Sequence, residues 1–196
     1  MPNPWALALG VQVQDLHPRL NDYFSQIPEG AIGRGFGTFA SVGTPRRWLW
    51  PILRVLARDG VVFAAWEHNV PFSIVNRPMP NGVRAERAFA FEKCMRVMTD
   101  AVTYRDGALV DRLGRHGRVV VTLHAVVVDR ALEVRSSRVA IAGVRVPGFI
   151  APRVHLIERF DEAADLQHVS LTLTSPVLGR IYEYAGSFHY SIEAGE

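Results

Sequence analysis

Arg87 stands among alanines and phenylalanines in "RAFAF", and His124 interrupts a run of valines in "VVVTLHAVVV". Near the C-terminus, "SPVLGRIYEYAGSFHY" places Tyr182, Tyr184, Phe188 and Tyr190 at even positions, with Gly186 as a gap. Residues two apart in a strand share a face, so these rings line one side. A buried guanidinium or imidazole must find a partner, because an unpaired buried charge is costly. Such a set could hold a small apolar or amphipathic molecule by its body and anchor one polar group. It could also polarise a carbonyl through Arg87 or a tyrosine hydroxyl, as a cofactor-free cyclase or isomerase would. The candidate ligand-binding residues are therefore Arg87, Phe89, His124, Tyr182, Tyr184 and Phe188, with no catalytic residue assigned. Each has a plainer alternative. Arg87 could pair with a carboxylate on the next strand, His124 could be an ordinary core or surface histidine, and the gap at Gly186 could be filled by protein.

Other motifs carry less. "GRGFGTFASVG" has the glycines of a phosphate loop but reads as a strand, with Ile32, Arg34, Phe36 and Thr38 alternating with glycine. His155 and Glu158 are three apart, which points them to opposite faces of a strand, so no metal is expected. No nucleophile elbow is present. Cys94, the single cysteine, reads as a small buried hydrophobe. "WEHNVPF" groups Glu67, His68 and Asn69 at a loop or strand end. No cofactor is expected.

The elements that must position these residues follow from periodicity. "DLHPRLNDYFSQI" predicts a helix capped by Asp15, with Pro18 in its first turn. "TPRRWLWPILRVLARDG" predicts a second, capped by Thr44, kinked at Pro51 and ended by Gly60. Its tryptophans and its stripe of Arg47, Arg54 and Arg58 are compatible with a membrane surface. The expectation is that it packs on a sheet instead and that membrane contact is absent. Most of the rest alternates with period two between short turns, as in "VSLTLTS" and around Asp106–Gly107 and Asp129–Arg130. Pro176 belongs before or at the start of the last strand, since it cannot donate to a central ladder. No helical pattern separates the strands, so antiparallel pairing is favoured.

The fold expected is α+β in a single domain: a strongly curved antiparallel β-sheet or β-barrel covered by two N-terminal helices. The helical third spans 14–60, apart from the glycine-rich strand, and the β meander spans 61–192. The chain has 196 residues, 48% apolar and 21% charged, which is an ordinary globular composition. No signal peptide or membrane-spanning segment is evident, and one cysteine suits a reducing compartment, so the cytoplasm is expected. The net charge is +3, and the 21 arginines are scattered without a basic tract, so nucleic acid is not expected as a partner. The oligomeric state is not legible.

The order and spacing of several motifs resemble an uncharacterised bacterial family, the DUF4166 domain. Pro176, Leu178, Gly179, Tyr184, Gly186 and Phe188 match its C-terminal pattern. "VPFSIVNRP" is similar to its Val-Pro…Asn stretch, and "RVPGFIAPRVHLIE" to its late Leu-Pro segment. Arg87 and Phe89 match its central aromatic-x-Arg-x-Phe motif, with Ala85 where the aromatic stands. The resemblance runs from about Leu16 to Tyr190. The family occurs alone or fused to dehydrogenase-like domains, which adds a third reading, a scaffold that docks on a partner enzyme. It implies no activity.

Overall fold

The computed structural model describes residues 3–195. Eleven strands follow along the chain: β1 Ala31–Gly43, β2 Trp66–Met79, β3 Gly82–Phe91, β4 Cys94–Arg105, β5 Ala108–Leu113, β6 Val119–Val128, β7 Ala131–Ile141, β8 Val144–Arg145, β9 Arg153–Asp161, β10 Leu166–Ser175 and β11 Gly179–Ala194. Each pairs antiparallel with its sequence neighbour, except that β8 is a two-residue appendage of β7 and β9 pairs with β7 instead. Pairing of β1 with β11 completes the ring, so ten strands form a closed antiparallel β-barrel. Closure removes the exposed edges of an open meander.

Local chemistry explains the turns. Asp106–Gly107 adopts φ 50° and 79°, the two positive values of a two-residue hairpin loop. Asp129 and Arg130 adopt φ 50° and 65° without glycine. Pro176 lies in the turn before β11, as its missing N–H requires. In β1, Gly33, Gly35 and Gly37 face inward, and the rings of Phe188 and Tyr190 lie across them. A Cβ at Gly33 would come within 1.6 Å of the Tyr190 hydroxyl. The glycines therefore make room for aromatic rings rather than for a phosphate.

The helices are short and close the barrel's ends. α1 Pro4–Leu9 and α2 Pro18–Phe24 precede β1, and α3 Trp50–Ala57 joins β1 to β2. α1 lies before the expected helical region. The cap of α2 is His17, whose Nδ1 accepts from Arg19 N at 3.2 Å, while Asp15 ends a 3-10 helix. Pro51 is in the first turn of α3 and kinks nothing, because Arg47–Leu49 form a separate 3-10 turn before it. α1 and α2 cover the end from which β1 starts. There His17 N donates to Arg130 O at 3.0 Å, and His17 Nε2 meets Glu162 Oε1 at 2.9 Å. α3 and the 3-10 turn before it cover the other end, with Leu53 and Leu49 buried. It is tied down by Arg115 N donating to Asp59 O at 2.8 Å and by Arg46 donating to Leu178 O.

The interior has two halves. Phe39, Phe72 and Phe89 stack with Phe63, Phe91, Tyr184 and Phe188 at centroid distances of 4.3–6.3 Å and fill the side of β1–β3. On the side of β5–β7, β9 and β10 most inward residues are aliphatic, with a few polar ones among them, and they do not fill the space.

Candidate functional site

The unfilled half is a cavity of about 190 Å³. Its walls are mostly valine and leucine, among them Val121, Leu123, Val134 and Leu171. Tyr23 and Phe24 of α2 bound it at one end, and Leu56, Val61 and Val62 bound it near α3. Inward-facing Leu113, Val154, Leu156 and Leu173 are only partly buried, and Ile141 is exposed. These mark the mouth, beside the long connection from β7 to β9.

Into this apolar wall project four ionisable groups from adjacent or facing strands. In β3 and β4, Arg87 pairs with Met98 and Ala85 with Asp100, so Arg87 and Asp100 are diagonal neighbours. In β4 and β5, Asp100 pairs with Leu113 and Val102 with Asp111, which continues the diagonal. The Arg87 guanidinium donates to Asp100 Oδ1. Asp100 is buried, whereas Arg87, which lines the cavity, keeps 22% of its side chain open. Across the cavity Glu158 of β9 accepts from Gln167 Nε2 of β10, both buried.

Burial sets the protonation of this cluster. It would lower the Arg87 pKa, but Asp100, with help from Tyr184, raises it, so Arg87 is a fixed cation. Burial pushes Asp111 well above the usual carboxylate range, and the Asp100 charge pushes the same way against the pull of Arg87. Burial raises Asp100 as well, but there the charge and hydrogen bond of Arg87 oppose it, so Asp111 is the carboxyl of the row more strongly favoured in its protonated form. Its Oδ1 is buried and has no hydrogen-bond partner among the described residues. Burial also raises Glu158 to about 7, against its hydrogen bond from Gln167 and the field of Arg87. Tyr184 is raised by burial first and by the carboxylates, so its hydroxyl remains a donor.

Of the residues singled out from sequence, Arg87, Tyr182 and Tyr184 line this cavity together. Phe89 and Phe188 point inward but belong to the packed aromatic half. His124 is a correction: it is exposed on the outer face and pairs in register with Arg135, because Leu123 beside it takes the inward position. The gap at Gly186 is filled by protein, since a Cβ there would come within 2.6 Å of Phe39. Cys94 is also corrected. It is exposed at the β3–β4 turn rather than buried. His155 and Glu158 do take opposite faces, and no cluster of metal-ligating side chains occurs among the described residues.

Sequence reasoning missed Asp100, Asp111 and Glu158 as a group. The signal lies in the alternation itself. Met98-x-Asp100-x-Val102, Leu109-x-Asp111-x-Leu113 and Leu156-x-Glu158-x-Phe160 each put one carboxyl where the pattern demands an apolar side chain.

The profile of one family, described as a domain of unknown function, DUF4166, matches residues 16–188. The chain belongs to the DUF4166 family. The match covers α2, the barrel strands β1–β10 and the first part of β11, so most of the cavity wall lies within the family domain, while Asn3 and Trp5 line it from outside the matched residues. No curated protein and no solved structure matches the chain.

Proposed function

We propose that this DUF4166 domain binds a small amphipathic molecule in its barrel, with the apolar body against the aliphatic wall and one uncharged polar group at Arg87, Asp111 and Tyr184. The observation that carries the reading is the unfilled aliphatic half with an unpartnered Asp111 oxygen in its wall. Ligand sites are mostly apolar with a few convergent polar groups. The charge balance narrows the ligand. Arg87, the one cation lining the cavity among the described residues, is already paired with Asp100, and Asp111 and Glu158 supply no further positive charge, so a carboxylate or phosphate head is disfavoured. A hydroxyl or carbonyl can exchange hydrogen bonds with neutral Asp111 and with Tyr184. The volume of about 190 Å³ is below the roughly 300–1,000 Å³ of sites for drug-sized ligands. The ligand is therefore small, or part of it stays at the mouth. The cytoplasm suits a chain with a single, exposed cysteine.

Native mass spectrometry of freshly purified protein should show a neutral adduct. Titration with a fluorescent long-chain alcohol should show saturable binding, stronger than that of the matching carboxylate. Val121→Trp, which fills the aliphatic half, should abolish both. A clean spectrum together with no alcohol binding would sink the reading.

A cyclase or isomerase on a hydrophobic substrate has one specific observation in its favour: Glu158, raised to about 7, lines the same cavity as Arg87. A general acid–base works best with a pKa near the operating pH. Glu158→Gln separates the two readings. A binder keeps its affinity, whereas an enzyme keeps affinity and loses turnover. A scaffold would need no cavity, and the unfilled half speaks against it.

A further inference from the structure

Antiparallel alternation assigns every connection to one end of the barrel. The end closed by α3 also carries the turns β3–β4, β5–β6 and β10–β11 and the long β7–β9 connection. Across α3 and the 3-10 turn that leads into it, the apolar residues split into two sets. Leu49, Leu53 and Leu56 face the barrel, while Trp48 of the turn and Ile52 and Val55 of the helix face out. Trp48 is 59% exposed and Val55 64%. Beside them run exposed Arg47, Arg54 and Arg58. Met95 at the start of β4, and Phe149 and Val177 from two connections, are exposed at the same end, Phe149 by 74%. Single exposed apolar residues are ordinary; their gathering around one end is not.

Charge divides the same way. Segments 44–65, 92–93, 114–118, 142–152 and 176–178 at this end hold eight basic and two acidic residues. Segments 3–30, 80–81, 106–107, 129–130 and 162–165 at the other end hold two basic and seven acidic. A net of six positive charges thus faces a net of five negative ones across the barrel, although the whole chain is nearly balanced. We propose that the α3 end is a docking surface for an anionic lipid bilayer, with Trp48, Ile52 and Phe149 entering the interface and the arginines meeting lipid phosphates. Tryptophan favours the interface, arginine stems lie along apolar surface while their heads reach phosphate, and basic clusters bind anionic leaflets. Charge disfavours a symmetric pair of copies, because two such ends would repel, and the placing of Trp48 and Ile52 beside the arginines suits a lipid interface; a head-to-tail copy on the acidic end is an outcome of the test below. The acidic end points away from the membrane. The proposal goes beyond the ligand reading and rests on outer-surface residues. It departs from the expectation that α3 only packs on the sheet.

The test is co-sedimentation of the full chain with vesicles of phosphatidylcholine alone or with one-third phosphatidylglycerol. Binding is expected to the anionic vesicles only and to fall steeply with added salt. Trp48→Ser with Ile52→Ser should lower partitioning at least about tenfold, and Arg54→Glu with Arg58→Glu by a similar factor. Val11→Ser, an 83% exposed position at the acidic end, should change nothing. The α3 and Val11 variants change exposed side chains, and circular dichroism checks that these and Val121→Trp remain folded. Val121→Trp should still bind vesicles, which separates docking from ligand uptake. No binding to anionic vesicles, or equal losses in the α3 variants and Val11→Ser, overturns the proposal. So does a dimer dissolved by the α3 substitutions without vesicle binding, which would assign the face to a second copy.

Discussion

At the scale of single residues, the barrel carries carboxyls whose pKa values burial raises. Glu158 has a folded pKa of about 7 against an ordinary 4.5. The folded state therefore holds a proton that the unfolded state gives up between those values. Its contribution to stability is fully present below pH 4.5 and is lost as pH rises through 7, up to about 3 kcal/mol. Urea unfolding at pH 5 and pH 7.5 should show the fall, and Glu158→Gln should remove its share of the slope; an unchanged slope would place the titration elsewhere. Arg87→Met should cost about 3–5 kcal/mol at neutral pH, because Asp100 loses its counter-charge in a buried row. Adding Asp100→Leu should recover most of that loss, measured by the same denaturation. Gly186→Leu drives a side chain into Phe39 and should cost roughly 1–3 kcal/mol or more, with or without an alcohol probe present. Val121→Trp is the contrast: it should lose the probe and keep most of its stability.

At the scale of elements, the barrel is unevenly paired. β7 and β9 share four residue pairs, Leu132 to Arg135 with His155 to Glu158, and β5 shares five with β6, whereas β1 and β11 share twelve. Beyond Arg135 the β7–β9 seam is held by Val154 N donating to Ser136 Oγ at 2.8 Å, and the chain then departs into β8 and the exposed turn at Phe149. Local opening follows from few backbone bonds and little burial. Amide hydrogen exchange should therefore be fastest between residues 142 and 154 and slowest in β1 and β11. Uniform protection around the ring would contradict a mouth at this seam. Much of this architecture is legible in the sequence. "VSLTLTS" alternates as β10, Asp106–Gly107 turns as its φ preferences require, and Pro176 with Gly179 mark the start of β11. The site is only half legible. Arg87, Tyr182 and Tyr184 stand out because they share a face with aromatic neighbours. Asp100, Asp111 and Glu158 do not, because a lone acid in an alternating strand has no meaning until the partner strands are known. His124 misleads for the reverse reason. It interrupts a valine run in which both faces are apolar, so the inward face cannot be told from the outward one.

At the scale of the whole molecule, everything depends on the closure of β1 with β11, a pairing that joins Ala31 to Ala194 across nearly the whole chain. No helix of the described residues is long and apolar enough to cross a membrane, and the helices are too short to form an independent core. Their role is to stop the ends, through Leu49 and Leu53 at one and Tyr23 and Phe24 at the other. A barrel has no stable half. Removing β11 would leave β1 and β10 as open edges, strip Phe188 from Tyr23 and Phe72, and remove Tyr182 and Tyr184 from the interior. Such edges pair with other chains. A chain ending at Leu178 should therefore be unfolded or aggregated rather than a smaller folded barrel, as read by proton spectra and sedimentation. Co-expression of that truncated chain with the separate segment 179–196 offers the sharper measurement. If closure supplies the missing edge and the missing rings together, the segment should restore a folded complex that binds the alcohol probe. Recovery of fold without the probe would show that β11 completes the wall but that the cavity's polar floor needs a continuous chain.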